Sequence, residues 1–252
     1  MNTVLGGFTM NQRQAVAYIG AYLWRRERLG MLFTLLFALY LATINSATIG
    51  GLLAGDENVP RTLNGLVDWL NMVMYPIFGM VMNKSSWGMW RDDYYSKRIA
   101  QWRTMPIPVA SIVWARMLQS AVMLPVIGGI YLLAQYLFTP ALREYVTPIQ
   151  WIENGLIWMC YGATLLSLII LMELGHTGKR YCLVYFGLMI GVGAISIILT
   201  WQGVYVFRSV LDIIKDGYGP AVLGGMAILA AVATAAGHRL TVGRIRVRSL
   251  PL

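Results

Sequence analysis

Three ionisable residues fall within apolar stretches of the sequence and are the first candidates for chemistry: Asp68, Arg116 and Glu153. A charge inside a membrane span is costly, so such residues mark ion or substrate routes or pair with one another. All three lie about two turns or less from a predicted span end, where snorkelling or pairing at the interface also accounts for them. No series of acids at the bilayer centre forms a proton relay.

The motifs of soluble chemistry are missing. Gly175-His176-Thr177-Gly178-Lys179-Arg180 holds a Gly-Lys pair, but neither the spacing of a phosphate loop nor the Ser/Thr that would hold magnesium. There is no G-x-S-x-G elbow and no H-E-x-x-H. His176 and His238 read as helix-end residues, where a cation suits the helix dipole. Cys160 and Cys182 sit in apolar surroundings and form neither a disulfide framework nor a zinc cluster. The sequence predicts no catalytic residue, no metal site and no cofactor bound by this chain.

The elements that must carry these residues are set by composition. Of 252 residues, 58% are hydrophobic and 12% charged, with mean hydropathy +0.60. An ordinary soluble domain is about 25% charged. The chain is predicted to be all-α, a single transmembrane domain over 1–252. A span needs about 20 apolar residues. Six stretches qualify: Leu29 to Leu53, Leu63 to Met82, Ile107 to Phe138, Ile152 to Leu174, Tyr181 to Phe207 and Pro220 to Gly237. Pro76, Pro125 and Gly128-Gly129 lie inside them and predict kinks. Gly51-x-x-x-Gly55 and Gly187-x-x-x-Gly191 permit close helix contact.

The net charge of +9 gathers at the ends of apolar stretches, which is membrane topology and no footprint of nucleic acid. Of the 20 Lys and Arg, only Arg61, Arg143, Arg208 and Lys215 fall in one set of loops, and the other 16 fall in the alternate set. Basic loops stay inside. Both termini, and the connections after spans two and four, are therefore predicted to be cytoplasmic.

Three further segments carry information. Asn83 to Met105 is longer than a chain reversal needs. Helical spacing brings Trp87, Trp90 and Tyr94 together, and likewise Tyr95, Ile99 and Trp102. This predicts a helix at the cytoplasmic interface, which serves either as a lipid anchor or as a docking element. Residues 10–28, with Ala15, Tyr18, Ile19 and Tyr22 on one face, predict an interfacial helix before span one. Residues 207–219 hold Val210, Leu211, Ile213 and Ile214, too apolar for a solvated loop, and predict an outer hydrophobic segment that re-enters the membrane or lies on it.

This layout resembles the type-2 permeases of ATP-binding-cassette (ABC) transporters. Arg98-Ile99-Ala100-Gln101-Trp102-Arg103-Thr104-Met105-Pro106-Ile107-Pro108, followed by Ala115-Arg116, is similar to that family's stretch from coupling helix into span three. Trp102-Arg103 stands where the family often has a smaller or aliphatic residue. The resemblance implies a coupling segment over 83–106, with Asp92, Asp93, Tyr95, Arg98, Trp102, Arg103, Met105 and Pro106 meeting an ATPase. Trp102 and Tyr95 would be the anchors, with Asp93, Arg98 and Arg103 giving orientation. It implies a subunit of an exporter in a bacterial plasma membrane. Two permease subunits, identical or related, would work with two separate ATPase subunits that use ATP and magnesium. Two rival classes stand beside this reading. One is a non-transporting membrane scaffold or immunity protein. The other is a membrane-embedded enzyme, for which a cluster of polar catalytic groups at one depth is missing.

Overall fold

The computed structural model describes residues 10–54, 61–82 and 89–248, and all regular structure among them is helical. The helices are α1 (Gln12–Ala54), α2 (Arg61–Phe78), α3 (Met89–Asp92), α4 (Tyr94–Arg103), α5 (Val109–Phe138), α6 (Pro140–Tyr145), α7 (Pro148–Gly175), α8 (Gly178–Trp201), α9 (Val206–Ile213) and α10 (Gly219–Val247). Five stretches are long and apolar enough to cross a membrane: Gln12–Leu53, Val109–Phe138, Pro148–Gly175, Gly178–Trp201 and Val206–Val247. The last passes through a π-turn at Ile214–Tyr218, where Gly217 takes φ 87° and bends the chain between α9 and α10. The chain is thus a multi-helix protein of membrane-embedded character.

The sixth expected span, α2, is not among these five. Asn64, Asp68 and Asn71 dilute its apolar content. Yet α2 is the most enclosed helix, with Val73 through Gly79 all buried. Its polar groups face protein rather than lipid. The Asn71 amide donates to the Val67 carbonyl at 2.8 Å, and the Trp69 indole donates to the Met189 carbonyl of α8 at 3.1 Å. Around Tyr75 the rings of Phe78, Tyr131 and Trp158 pack edge-on or stacked, with centroids 5.6 to 6.0 Å from it. A Cβ on Gly162 of α7 would stand 3.1 Å from the Tyr75 carbonyl, so a glycine there lets the two backbones close up.

The segment expected as an interfacial helix over 10–28 runs without a break into the first span as one helix, α1, of 43 residues. At 1.5 Å per residue it is about 65 Å long, roughly twice a bilayer's hydrocarbon core of about 30 Å. No Pro or Gly–Ser break divides it, and its inward stripe runs on at helical spacing through Ala15, Ile19, Leu23, Thr34, Ala38, Ala42, Asn45 and Ile49. The coupling segment is divided instead. Asp93 takes the left-handed conformation at φ 42° and separates α3 from α4. The first part of that segment, Asn83 to Gly88, including Trp87, lies outside the described residues, as does Gly55 of the first glycine pair. A Cβ added at Gly187 or Gly191 would meet nothing within 4 Å, so this second pair packs against no helix among the described residues.

Contacts sort the helix ends into two groups. Gln12, α4, Ser111, Leu174, Gly178 and Arg248 meet at one end, through Ser111 to the Gln12 carbonyl (3.4 Å) and Arg248 to the Leu174 carbonyl (3.2 Å). This basic end carries most of the cationic side chains. Ser46, Gly65, Thr139, Trp151, Thr200 and Phe207 meet at the opposite end.

Candidate functional site

The chemistry of the molecule concentrates beneath α4 at the basic end. α4 buries Tyr95, Ser96, Arg98, Ile99 and Trp102 on one face and exposes Lys97, Gln101 and Arg103. Helical spacing produces this split, and Pro106 and Pro108 stop the helix before α5 begins. Trp102 packs with Ala15, Ile19 and Leu23 of α1 and with Ile107 and Ile112, and its ring meets Tyr22 edge-on at 6.2 Å. Ile99 joins Val113, Met117, Ile170, Leu174, Val242 and Ile245. One short helix is therefore packed against α1, α5, α7 and α10 together.

A buried chain of charges runs inward from this face. Arg98 Nη1 donates to Glu27 Oε1 at 2.9 Å, and Glu27 Oε2 accepts from Gln119 Nε2 at 2.8 Å. Gln119 Oε1 accepts from Arg116 Nη1 at 3.1 Å, which also reaches Ser120 Oγ at 3.2 Å. Arg116 then grips Glu173 with two bonds, Nε to Oε1 at 2.9 Å and Nη2 to Oε2 at 3.0 Å. All six side chains are buried. Two arginines balance two glutamates, so the network is neutral, which is the condition for keeping charges out of water. The bidentate Arg116–Glu173 fork adds fixed geometry. On its open side, Arg98 lies over the rings of Tyr94, Tyr95 and Trp102, at 5.1, 5.4 and 5.7 Å. Ring faces supply part of the counter-charge for a guanidinium whose Nε and Nη2 have no hydrogen-bond acceptor. Burial, and then the nearby Glu173, hold the Tyr95 phenol well above its ordinary pKa, so it stays protonated.

Asp93 joins the two connections at this end. Its Oδ1 accepts from the Gly178 backbone N–H at 2.9 Å and from Ser96 Oγ at 2.7 Å. A Cβ on Gly178 would run into the Met89 carbonyl, so only glycine lets α8 start this close to α3. Arg248 closes the cluster. It donates to Ser96 Oγ, stands 3.9 Å from Asp93 Oδ2, and accepts from Arg103 Nη1 at its carbonyl, at 3.1 Å.

The predicted site residues therefore divide. Tyr95, Arg98 and Trp102 face the chain's own helices, with Trp102 only 7% exposed and Tyr95 6%. As placed, the two expected anchors are occupied within the fold. Asp92, Arg103 and Pro106 point outward, and Asp93 and Met105 are half-buried. Arg116 is central to the network. Asp68 works at the opposite end, where its two carboxylate oxygens accept from the backbone N–H groups of Val206 (2.7 Å) and Phe207 (2.8 Å). It caps α9 from another helix, and a carboxylate there also suits the helix dipole. That contact fixes the segment 206–218, whose Phe207, Leu211 and Ile214 are buried. Glu153 is half-buried and faces the backbone of Gly219 at the start of α10.

Sequence reasoning does not single out Glu27 or Gln119, and it places Glu173 only near a span end. A signal exists for each. Glu27 continues the stripe Ala15, Ile19, Leu23 by one more step of four, although Arg25, Arg26 and Arg28 surround it in sequence. Gln119 and Ser120 follow Arg116 at the three- and four-residue spacing of a helix face. Among the described residues no group of His, Cys, Asp and Glu is placed to hold a metal ion. Compared with protein-family models, curated proteins and solved structures, the chain matches none.

Proposed function

We propose that this chain is the membrane-spanning subunit of an ATP-driven exporter of the type-2 ABC permease kind, working as a pair with separate ATPase subunits. The observation that carries the reading is α4. One face is tied to α1, α5 and α7 through buried charge, while the other presents Lys97, Gln101 and Arg103 outside the bundle. A helix so placed can receive a push on its exposed face and deliver it to several spans at once. That suits rigid-body rocking of helices by an external motor. In this reading the basic end is cytoplasmic, as the distribution of Lys and Arg favours, and α2 is the sixth span. Its 18 residues reach about 27 Å, and its polar groups are covered by protein rather than lipid.

The ATPase would meet the exposed side of α3 and α4, at Trp90, Arg91, Asp92, Lys97, Gln101 and Arg103. Trp90, 51% exposed, takes the anchor role that Trp102 cannot fill. A non-transporting scaffold is the second reading, favoured by one observation. The largest aromatic groups of α4 are spent on the chain's own fold, as they would be if α4 served only to brace the bundle. Mass measurement of the complex extracted from its native membrane separates the two. A transporter predicts two copies of the 28.1 kDa chain together with ATPase subunits, and a lone chain or a pair without ATPase contradicts it.

A further inference from the structure

A cavity of about 390 Å³ opens between α5 and α7 near the end opposite α4. We propose that it holds one acyl chain of a membrane phospholipid, taken laterally from the leaflet at that end. The size falls within the range of small-molecule sites, about 300–1,000 Å³. No lining side chain is charged. The Trp151 indole is already spent on the Leu132 carbonyl at 3.0 Å, which leaves the Tyr136 hydroxyl as the only other side-chain hydrogen-bonding group on the wall. A polar ligand would find one hydroxyl there to replace its water.

Depth and length fit a single leaflet. The wall on α7 runs from Pro148, its first residue, to Met159, which is about 16 Å at 1.5 Å per residue. Half of a hydrocarbon core is about 15 Å. The rim residues Leu133, Ile152 and Leu156 are 57%, 60% and 42% exposed and face the surroundings of the bundle. Gly129 leaves room on the α5 wall of the groove. A Cβ there would meet nothing within 4 Å, and a larger side chain would enter the space.

The connection between the two walls carries charge. The two walls are joined by the segment containing α6, which carries Arg143, exposed and without a carboxylate within 4.0 Å among the described residues. A cation on the segment that leaves one wall and enters the other matches a phosphate heading an acyl chain. Glu144 beside it, also exposed, suits the ammonium of a zwitterionic headgroup, so phosphatidylethanolamine is the favoured lipid class.

The test uses the full chain in vesicles of phosphatidylethanolamine and phosphatidylglycerol. A phosphatidylethanolamine carrying a diazirine in one acyl chain is photolysed, and adducts are mapped by peptide mass. Adducts should concentrate on Leu133, Ile152 and Leu156, well above Ile190 on α8, which is 72% exposed but borders no cavity. Gly129→Leu should lower the groove adducts at least fivefold and leave Ile190 labelling unchanged. Should that variant fail to fold, Leu156→Trp fills the same space from the rim and carries the same expectation. Arg143→Gln should remove the preference for this probe over a diazirine diacylglycerol. Groove labelling equal to that of Ile190, or indifference to both filling variants, overturns the proposal. So does cross-linking of position 152 to a second copy of the chain in place of lipid.

Discussion

Arg98 Nη1 lies 2.9 Å from Glu27 Oε1, with both side chains buried, so the one buried cation of a ten-residue helix is paired with a helix that crosses to the far end of the bundle. Glu27 is shared with Gln119, and through it with Arg116 and Glu173. α4 is therefore held by the packing of Trp102 and Ile99 and positioned by charge. A displacement of α4 must carry α1 with it or break the pair.

Breaking the inner pair should cost more than replacing it. Arg116→Met leaves Glu173 buried and uncompensated, and Glu173→Leu leaves Arg116 so, each destabilising the chain by about 3–5 kcal/mol. The double variant should recover most of the loss, since both buried charges leave together. Denaturant unfolding in detergent measures all three. Additive losses in the double variant contradict the pairing.

Trp102→Ala should act on the fold. The ring packs among Ala15, Ile19, Leu23 and Ile107, and removing a buried Trp costs about 3–5 kcal/mol. Amide exchange should rise across α4 and along residues 12–27. Lys97→Ala, on the exposed face, should leave exchange and unfolding as in the parent chain.

Asp68→Asn should loosen α9. The substitution keeps one acceptor oxygen but loses the charge shared between the Val206 and Phe207 amides. A hydrogen bond to a charged group contributes about 1.5–3 kcal/mol. Faster amide exchange over 206–211, with α4 unaffected, is the expected result.

Opposite ends of the bundle should label from opposite sides of the membrane. A cysteine replacing Arg143 should react with an impermeant reagent applied outside, and one replacing Lys97 only after permeabilisation. The reverse pattern would invert the orientation drawn from the basic loops.

Much of this architecture is readable from the chain. The apolar runs that become α1, α5, α7, α8 and α10 announce themselves by length. α2 is the weakest of the six expected runs, because Asn64, Asp68 and Asn71 dilute it, and only the packing shows that protein supplies the partners of Asp68 and Trp69. The continuity of α1 is hidden by Arg25, Arg26 and Arg28, which mark a membrane edge without breaking a helix. For α4, spacing correctly groups Tyr95, Ile99 and Trp102 but cannot say whether that face meets lipid, a partner or the chain itself. The charge network is the least legible feature. Glu27, Gln119 and Glu173 come from three separate helices, and only their packing reveals that Arg116 is paired.

Under the proposed function an ATPase would engage the exposed face of α4, and photo-cross-linking in native membranes tests this most directly. A photoreactive amino acid replaces Lys97, and the adduct is identified by mass. The expected product joins this chain to a subunit bearing a phosphate-loop ATPase sequence, and Trp90→Ala should diminish it. Reaction with lipid or water alone, in a chain whose fold is intact by amide exchange, would contradict the assignment of α4 as the coupling element.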